Sequence, residues 1–155
     1  MNALTPSSHQ PPGNPVDAIL LRHFAEICES LDLPPAMFQQ AKERYEALGR
    51  FLCEPTNPLS KLKPNIYPQG STRLHTTVKP IFGDEFDIDL ICELSATPDQ
   101  SVETIFNEVK AAILSHPAYA KMVVIKNRCI RIKYAAEFYL DVTPGIPDRP
   151  YGPEN

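Results

Sequence analysis

The chain has 155 residues, 43% of them hydrophobic and 22% charged, with a formal net charge of -4. That is enough for one domain with a real core, and the acidic balance excludes a general binder of long nucleic acid. The four cysteines, Cys28, Cys53, Cys92 and Cys129, form no C-x-x-C and lie in apolar segments, so they read as reduced, mostly buried thiols of a cytoplasmic protein.

Residues 1–15 are rich in Pro, Ser and Asn and predict a disordered tail. They carry no basic n-region and no apolar h-region, so no secretory signal is expected. No apolar run approaches the ~20 residues that a membrane span needs. From Val16 to about Leu31, Ile19, Leu20, Phe24, Ile27 and Cys28 recur at helical spacing. Pro34-Pro35 break that helix and suit the first turn of a second. In the second, Met37, Ala41, Tyr45, Leu48 and Leu52 continue a stripe to about Cys53. "EPTNPLSKLKP" reads as a Pro-rich loop.

"NIYPQ" predicts a short strand that leads into a turn at Gly70-Ser71, and residues 72–78 a helical turn or an irregular loop. "EFDIDLICEL" predicts a strand. Phe86, Ile88, Leu90 and Cys92 fall on one face, Asp87, Asp89 and Glu93 on the other, with Ile91 the exception. "ATPDQS" supplies helix-start chemistry, with Asp99 or Ser101 as cap. Val102, Ile105, Phe106, Val109, Ile113 and Leu114 then make a helical stripe that stops at Pro117. "KMVVIKN", "RCIRIKY" and "EFYLDVTP" predict three more strands, the first two a hairpin around Asn127. The order predicts an α+β domain: a mixed sheet of about five strands, helices packed on one face, two helices ahead of it.

Two carboxylates at i and i+2 of a strand point the same way, about 7 Å apart along the chain. They repel and lose solvation unless a cation sits between them. Mg²⁺ suits that place, because it binds through one or two carboxylates together with substrate phosphates. Two such ions about 3.5–4 Å apart clamp the attacking and leaving oxygens of an in-line displacement at phosphorus. "FYLDVTP" offers a third carboxylate, Asp141, again inside an apolar strand. Glycine lets a backbone approach a phosphate closely, and the Ser71 hydroxyl adds a donor. Each piece alone has a plainer reading: Gly-Ser as an ordinary turn, D-x-D as a solvated edge, Asp141 as a strand-end residue. Their combination in this order is more specific than any of them.

"YPQGSTRLHTTVKP", "DEFDIDLICEL" and "FYLDVTP" together resemble the DNA polymerase β-like nucleotidyltransferase superfamily. Within it they are most similar to the bacterial cGAS/DncV-like nucleotidyltransferases, or CD-NTases. The resemblance runs from about residue 16 to 148. It implies transfer of a nucleoside monophosphate from a nucleoside triphosphate to a ribose hydroxyl, with two Mg²⁺ or Mn²⁺ ions. It also implies cyclic oligonucleotide products that activate a partner effector in anti-phage defence. Carried over by position, Asp87, Asp89 and Asp141 would hold the metals and serve catalysis. Gly70 and Ser71 would bind the triphosphate, with Gln69 flanking it and Arg73 within reach of phosphate. Glu85 and Asp87 are also spaced i, i+2 and offer an alternative first pair. Lys79 is also within reach of phosphate, and the plainer reading of it and of Lys126, Arg128, Arg131 and Lys133 is as solvated cations.

On this resemblance the chain divides into a tail (1–15), a helical segment (16–58), a nucleotidyltransferase core (59–148) and an end (149–155). Members are about twice this length, and the helical C-terminal domain that closes their cleft is missing from the pattern. Two further readings stand beside a messenger synthase: a minimal antitoxin-type enzyme that adds AMP to a protein, and a non-catalytic remnant that binds Mg-nucleotide.

Overall fold

The structure, a computed structural model, describes residues 14–74, 76–80, 85–95, 100–134 and 137–147. The tail expected over 1–15 lies almost entirely outside these residues, as do the end at 149–155 and Asp99. The chain divides into two compact units, one ending at Asp32 and the other beginning at Leu33.

The first unit contributes one helix, α1 (Pro15–Leu31). The Asn14 side chain accepts from the Val16 N–H at 3.1 Å, which satisfies one of the donors a helix start leaves unpaired. Its apolar stripe, Ile19, Leu20, Phe24 and Ile27, is exposed.

The second unit is built on a five-stranded sheet. The strands are β1 (Asn65–Pro68), β2 (Phe86–Glu93), β3 (Val123–Ile125), β4 (Ile130–Tyr134) and β5 (Phe138–Gly145). Their order is β1-β2-β5-β4-β3. β2 and β5 run parallel at the centre, and the other three pairings are antiparallel. The crossover between β2 and β5 holds α4 (Val102–Leu114), α5 (Pro117–Ala120) and the β3–β4 hairpin. Ser101 caps α4 through the Thr104 N–H at 3.1 Å. The hairpin turns where the spacing places it, with the Lys126 N–H donating to the Cys129 carbonyl at 3.0 Å.

One face of the sheet is the core face. Phe86, Ile88, Leu90 and Cys92 of β2 join Phe138, Leu140 and Val142 of β5 and Ile130 and Ile132 of β4. The same cluster takes in Leu48 and Leu52 of α2 (Pro35–Cys53) and Ile105, Val109 and Ile113 of α4. These are the stripes that the 3.6-residue period picks out, and burying each such side chain contributes about 1.5–3 kcal/mol. Because the strand period is two, an apolar face on β2 forces Asp87 and Asp89 onto the other side. Ile91, half-buried, shares that side.

Three expectations need correction. The Pro-rich loop contains a single 3-10 turn, Pro58–Leu62, started by Asn57, whose side chain accepts from the Leu59 N–H at 3.0 Å. Gly70-Ser71 is no simple turn: it opens the short helix α3 (Gly70–Leu74). Among the cysteines only Cys92 is buried; Cys129 is half-buried, and Cys28 and Cys53 are exposed. An apolar neighbourhood in sequence does not by itself bury a residue.

Candidate active site

The two central strands carry the site. Asp89 of β2 and Asp141 of β5 are direct register partners in the parallel ladder, and Asp87 stands two residues before Asp89. A carboxylate oxygen from each of the three lies within 4.8 Å of one from each of the others. Asp87 is exposed, Asp89 half-buried and Asp141 buried. Glu85 precedes β2 and is not part of this cluster.

The electrostatics are unbalanced. Burial, and then the neighbouring charges of Asp87 and Asp141, push the Asp89 carboxyl up from its ordinary range, while Arg131 pulls it back. Arg131 lies opposite Asp141 in the antiparallel β4–β5 ladder. Its Nε donates to Oδ1 at 2.7 Å and its Nη2 to Oδ2 at 2.6 Å. The sequence reading of Arg131 as a solvated cation is therefore wrong: its side chain is 23% exposed and closes a two-pronged ion pair. The guanidinium also lies over the Tyr139 ring, 4.4 Å from its centroid. One arginine against three carboxylates leaves a net charge of about -2, the environment that a hard divalent cation satisfies.

Cys129, two residues before Arg131, also faces the site. Burial, with Asp141 beside it, holds its thiol above the usual range. The sequence reading assigns neither residue to the site. The available signal was the alternation in "RCIRIKY", which puts Cys129, Arg131 and Lys133 on one side, but which strand that side adjoins is a long-range fact.

Gly70 adopts φ +58 and abuts Asp89: a Cβ on it would lie 2.8 Å from Asp89 Oδ2. The Gln69 N–H donates to the Asp89 carbonyl at 2.9 Å, continuing the β1–β2 ladder by one bond. The Ser71 hydroxyl accepts from Thr77 Oγ1 at 3.2 Å, and the Ser71 carbonyl accepts from the Thr76 N–H at 2.9 Å. Together these bonds tie α3 and the segment after it beside the carboxylates. Arg73 projects exposed from α3. Lys79, Lys126, Arg128 and Lys133 are exposed, as expected of solvated cations. Among the described residues no helix is long and apolar enough to cross a membrane.

The Second Messenger Oligonucleotide or Dinucleotide Synthetase (SMODS) domain family matches residues 19–152. The chain belongs to this family. It is 36% identical over 135 residues to the cyclic dinucleotide synthase CdnG of Bradyrhizobium diazoefficiens, covering 86% of this chain and 31% of that protein. It is 33% identical over 123 residues to a c-di-GMP synthase of Roseivirga ehrenbergii, covering 79% of this chain and 33% of that one. The solved structure of B. diazoefficiens CdnG in complex with GTP superposes with a TM-score of 0.69, over 89% of this chain and 39% of that one. These matches place the chain among the CD-NTases and bear out both the resemblance and the expected α+β nucleotidyltransferase fold. The chain spans about a third of the length of the curated relatives it matches, so those relatives exceed the expected twofold length. The protein-AMPylating alternative is not favoured by any of these matches.

Proposed function

We propose that the chain carries the metal and triphosphate site of a cyclic oligonucleotide second-messenger synthase. The observation that supports this reading best is the convergence of Asp87, Asp89 and Asp141 from two adjacent parallel strands, with oxygens within 4.8 Å. In the reaction, a ribose hydroxyl gives up its proton to water and its oxygen bonds to the α-phosphorus of a nucleoside triphosphate, while the bond to the departing pyrophosphate breaks. A second transfer of the same kind closes the ring.

Asp87 and Asp89 would hold Mg²⁺ or Mn²⁺ together with the triphosphate, and Asp141 would complete the set on the side of the acceptor hydroxyl. Bound there, two such ions supply charge neutralisation at the phosphates and a more acidic acceptor hydroxyl. The chain's own contribution is placement. β2 fixes Asp87 and Asp89 by strand period, β5 sets Asp141 level with Asp89, and Gly70 leaves room for the Asp89 carboxylate. Gln69 and Gly70 stand beside Asp89, Ser71 and Arg73 follow them on α3, and all four would face the triphosphate. Such positioning accounts for much of the acceleration in phosphoryl transfer. The cyclic product would act on a separate effector in anti-phage defence.

The test is incubation of the protein with radiolabelled nucleoside triphosphates in Mg²⁺ or Mn²⁺, alone and joined to the remaining two thirds of a relative such as CdnG. Label in cyclic oligonucleotides that disappears with Asp89→Asn supports the reading. Label on protein, or synthesis that survives Asp89→Asn, overturns it.

A further inference from the structure

Asp141 is flanked by opposite charges on its two neighbouring strands. Asp89 lies level with it on β2 and Arg131 lies level with it on β4. The guanidinium takes one lone pair from each Asp141 oxygen, at 2.7 and 2.6 Å. A carboxylate offers about four lone-pair sites, so Asp141 keeps capacity for a metal while its plane is fixed by the fork. Arg131 is itself held from behind by Tyr139, 4.4 Å from its centroid, and its side chain is mostly buried. It is the one cationic side chain that forms an ion pair with the cluster among the described residues.

We propose that Arg131 is a built-in counter-ion of the metal site. Its fork holds Asp141 in place as a ligand, and its charge keeps a free divalent cation weakly bound until a triphosphate arrives with it. The proposal rests on the metal-site reading above. Two effects oppose each other when Arg131 is removed. Freeing Asp141 to rotate weakens binding of an ion, but removing a positive charge a few ångströms from a divalent ion strengthens it. The second effect is expected to be the larger one: for an ion about 6 Å away, a unit charge alters a divalent ion's affinity by about tenfold even in a water-like dielectric. A residue with only a structural role would shift affinity downward on removal.

The experiment measures Mn²⁺ binding to the chain by the loss of the free-ion paramagnetic resonance signal, with and without a non-hydrolysable nucleoside triphosphate. Arg131→Gln is expected to bind Mn²⁺ alone about tenfold more tightly than the parent, and to gain less affinity from the nucleotide. Arg131→Lys, which keeps the charge but loses the fork, is expected to stay within about threefold of the parent. Arg131→Met carries the same test if the Gln variant loses its near-ultraviolet circular dichroism. Equal or weaker Mn²⁺ binding in the folded charge-removing variant overturns this proposal alone, as does a Lys variant as tight as the Gln variant. Mn²⁺ binding that Asp89→Asn leaves unchanged overturns the metal-site reading and this proposal with it.

Discussion

Gly70 and Asp89 are packed so closely that a methyl group on the glycine would lie 2.8 Å from the aspartate's Oδ2. Nineteen positions separate them in sequence, yet each constrains the other: the carboxylate fills the space that a side chain at 70 would need. Gly70 also sits at φ +58, where L side chains are strained. Gly70→Ala is therefore expected to lose about 1–2 kcal/mol from backbone strain, a few degrees of Tm in a domain of this size. It should also displace Asp89 and weaken any metal-dependent stabilisation. Thermal melts with and without Mn²⁺ read both. A Gly70→Ala protein with an undiminished Mn²⁺ shift would show that Asp89 can move without cost to the site.

The carboxylate cluster should reveal itself by mass action. A ligand that binds only the folded state at about 100 times its dissociation constant adds about 2.7 kcal/mol. Mg²⁺ or Mn²⁺ with a nucleoside triphosphate is expected to raise Tm, and Asp87→Asn with Asp89→Asn is expected to abolish that rise while the protein stays folded. A shift that persists in the double variant places the binding elsewhere.

Much of this arrangement was legible in the sequence because its signals are local. The period-two pattern of "FDIDL" and the lone carboxylate in "FYLDVTP" mark both central strands and the face on which Asp87, Asp89 and Asp141 stand. The stripes of α2 and α4 are equally local. What escaped depends on pairing across the sheet. Arg131 looks like any exposed cation in an alternating strand until β4 is known to lie antiparallel beside β5, level with Asp141. Gly70 reads as a phosphate-binding glycine, and nothing near it in sequence announces the carboxylate against it. α5 was missed because Pro117 ends one pattern and equally suits the first turn of the next helix.

Glu93 shares the outer face of β2 with Asp87 and Asp89, but its carboxylate is engaged elsewhere. The Tyr67 hydroxyl donates to Oε2 at 2.8 Å, and that bond leads the causes that raise the Tyr67 phenol above its ordinary range. Glu93→Gln is expected to leave the Mn²⁺-induced Tm shift within about one degree of the parent, while Asp89→Asn removes it. A shift lost in Glu93→Gln would enlarge the metal site beyond the three aspartates.

The raised Asp89 carboxyl sets a pH dependence with a definite sign. Its folded value lies above the ordinary carboxyl value of 3.8, chiefly through burial and then through Asp87 and Asp141. A carboxyl shifted this way takes up its proton in the folded state first. Its ionised form therefore destabilises the metal-free fold at neutral pH. That penalty is relieved as pH falls through the folded-state value, and vanishes once the unfolded-state value is passed as well. Asp89→Asn removes the charge and keeps the shape. In EDTA the variant is expected to be more stable than the parent at neutral pH, with the difference closing as the pH approaches 3.8. Saturating Mn²⁺ is expected to reverse the order, because only the parent retains the full ligand set. Denaturant melts across pH, with and without Mn²⁺, measure both arms. A variant less stable than the parent in EDTA at neutral pH would mean that Asp89 makes a favourable contact outweighing its repulsion.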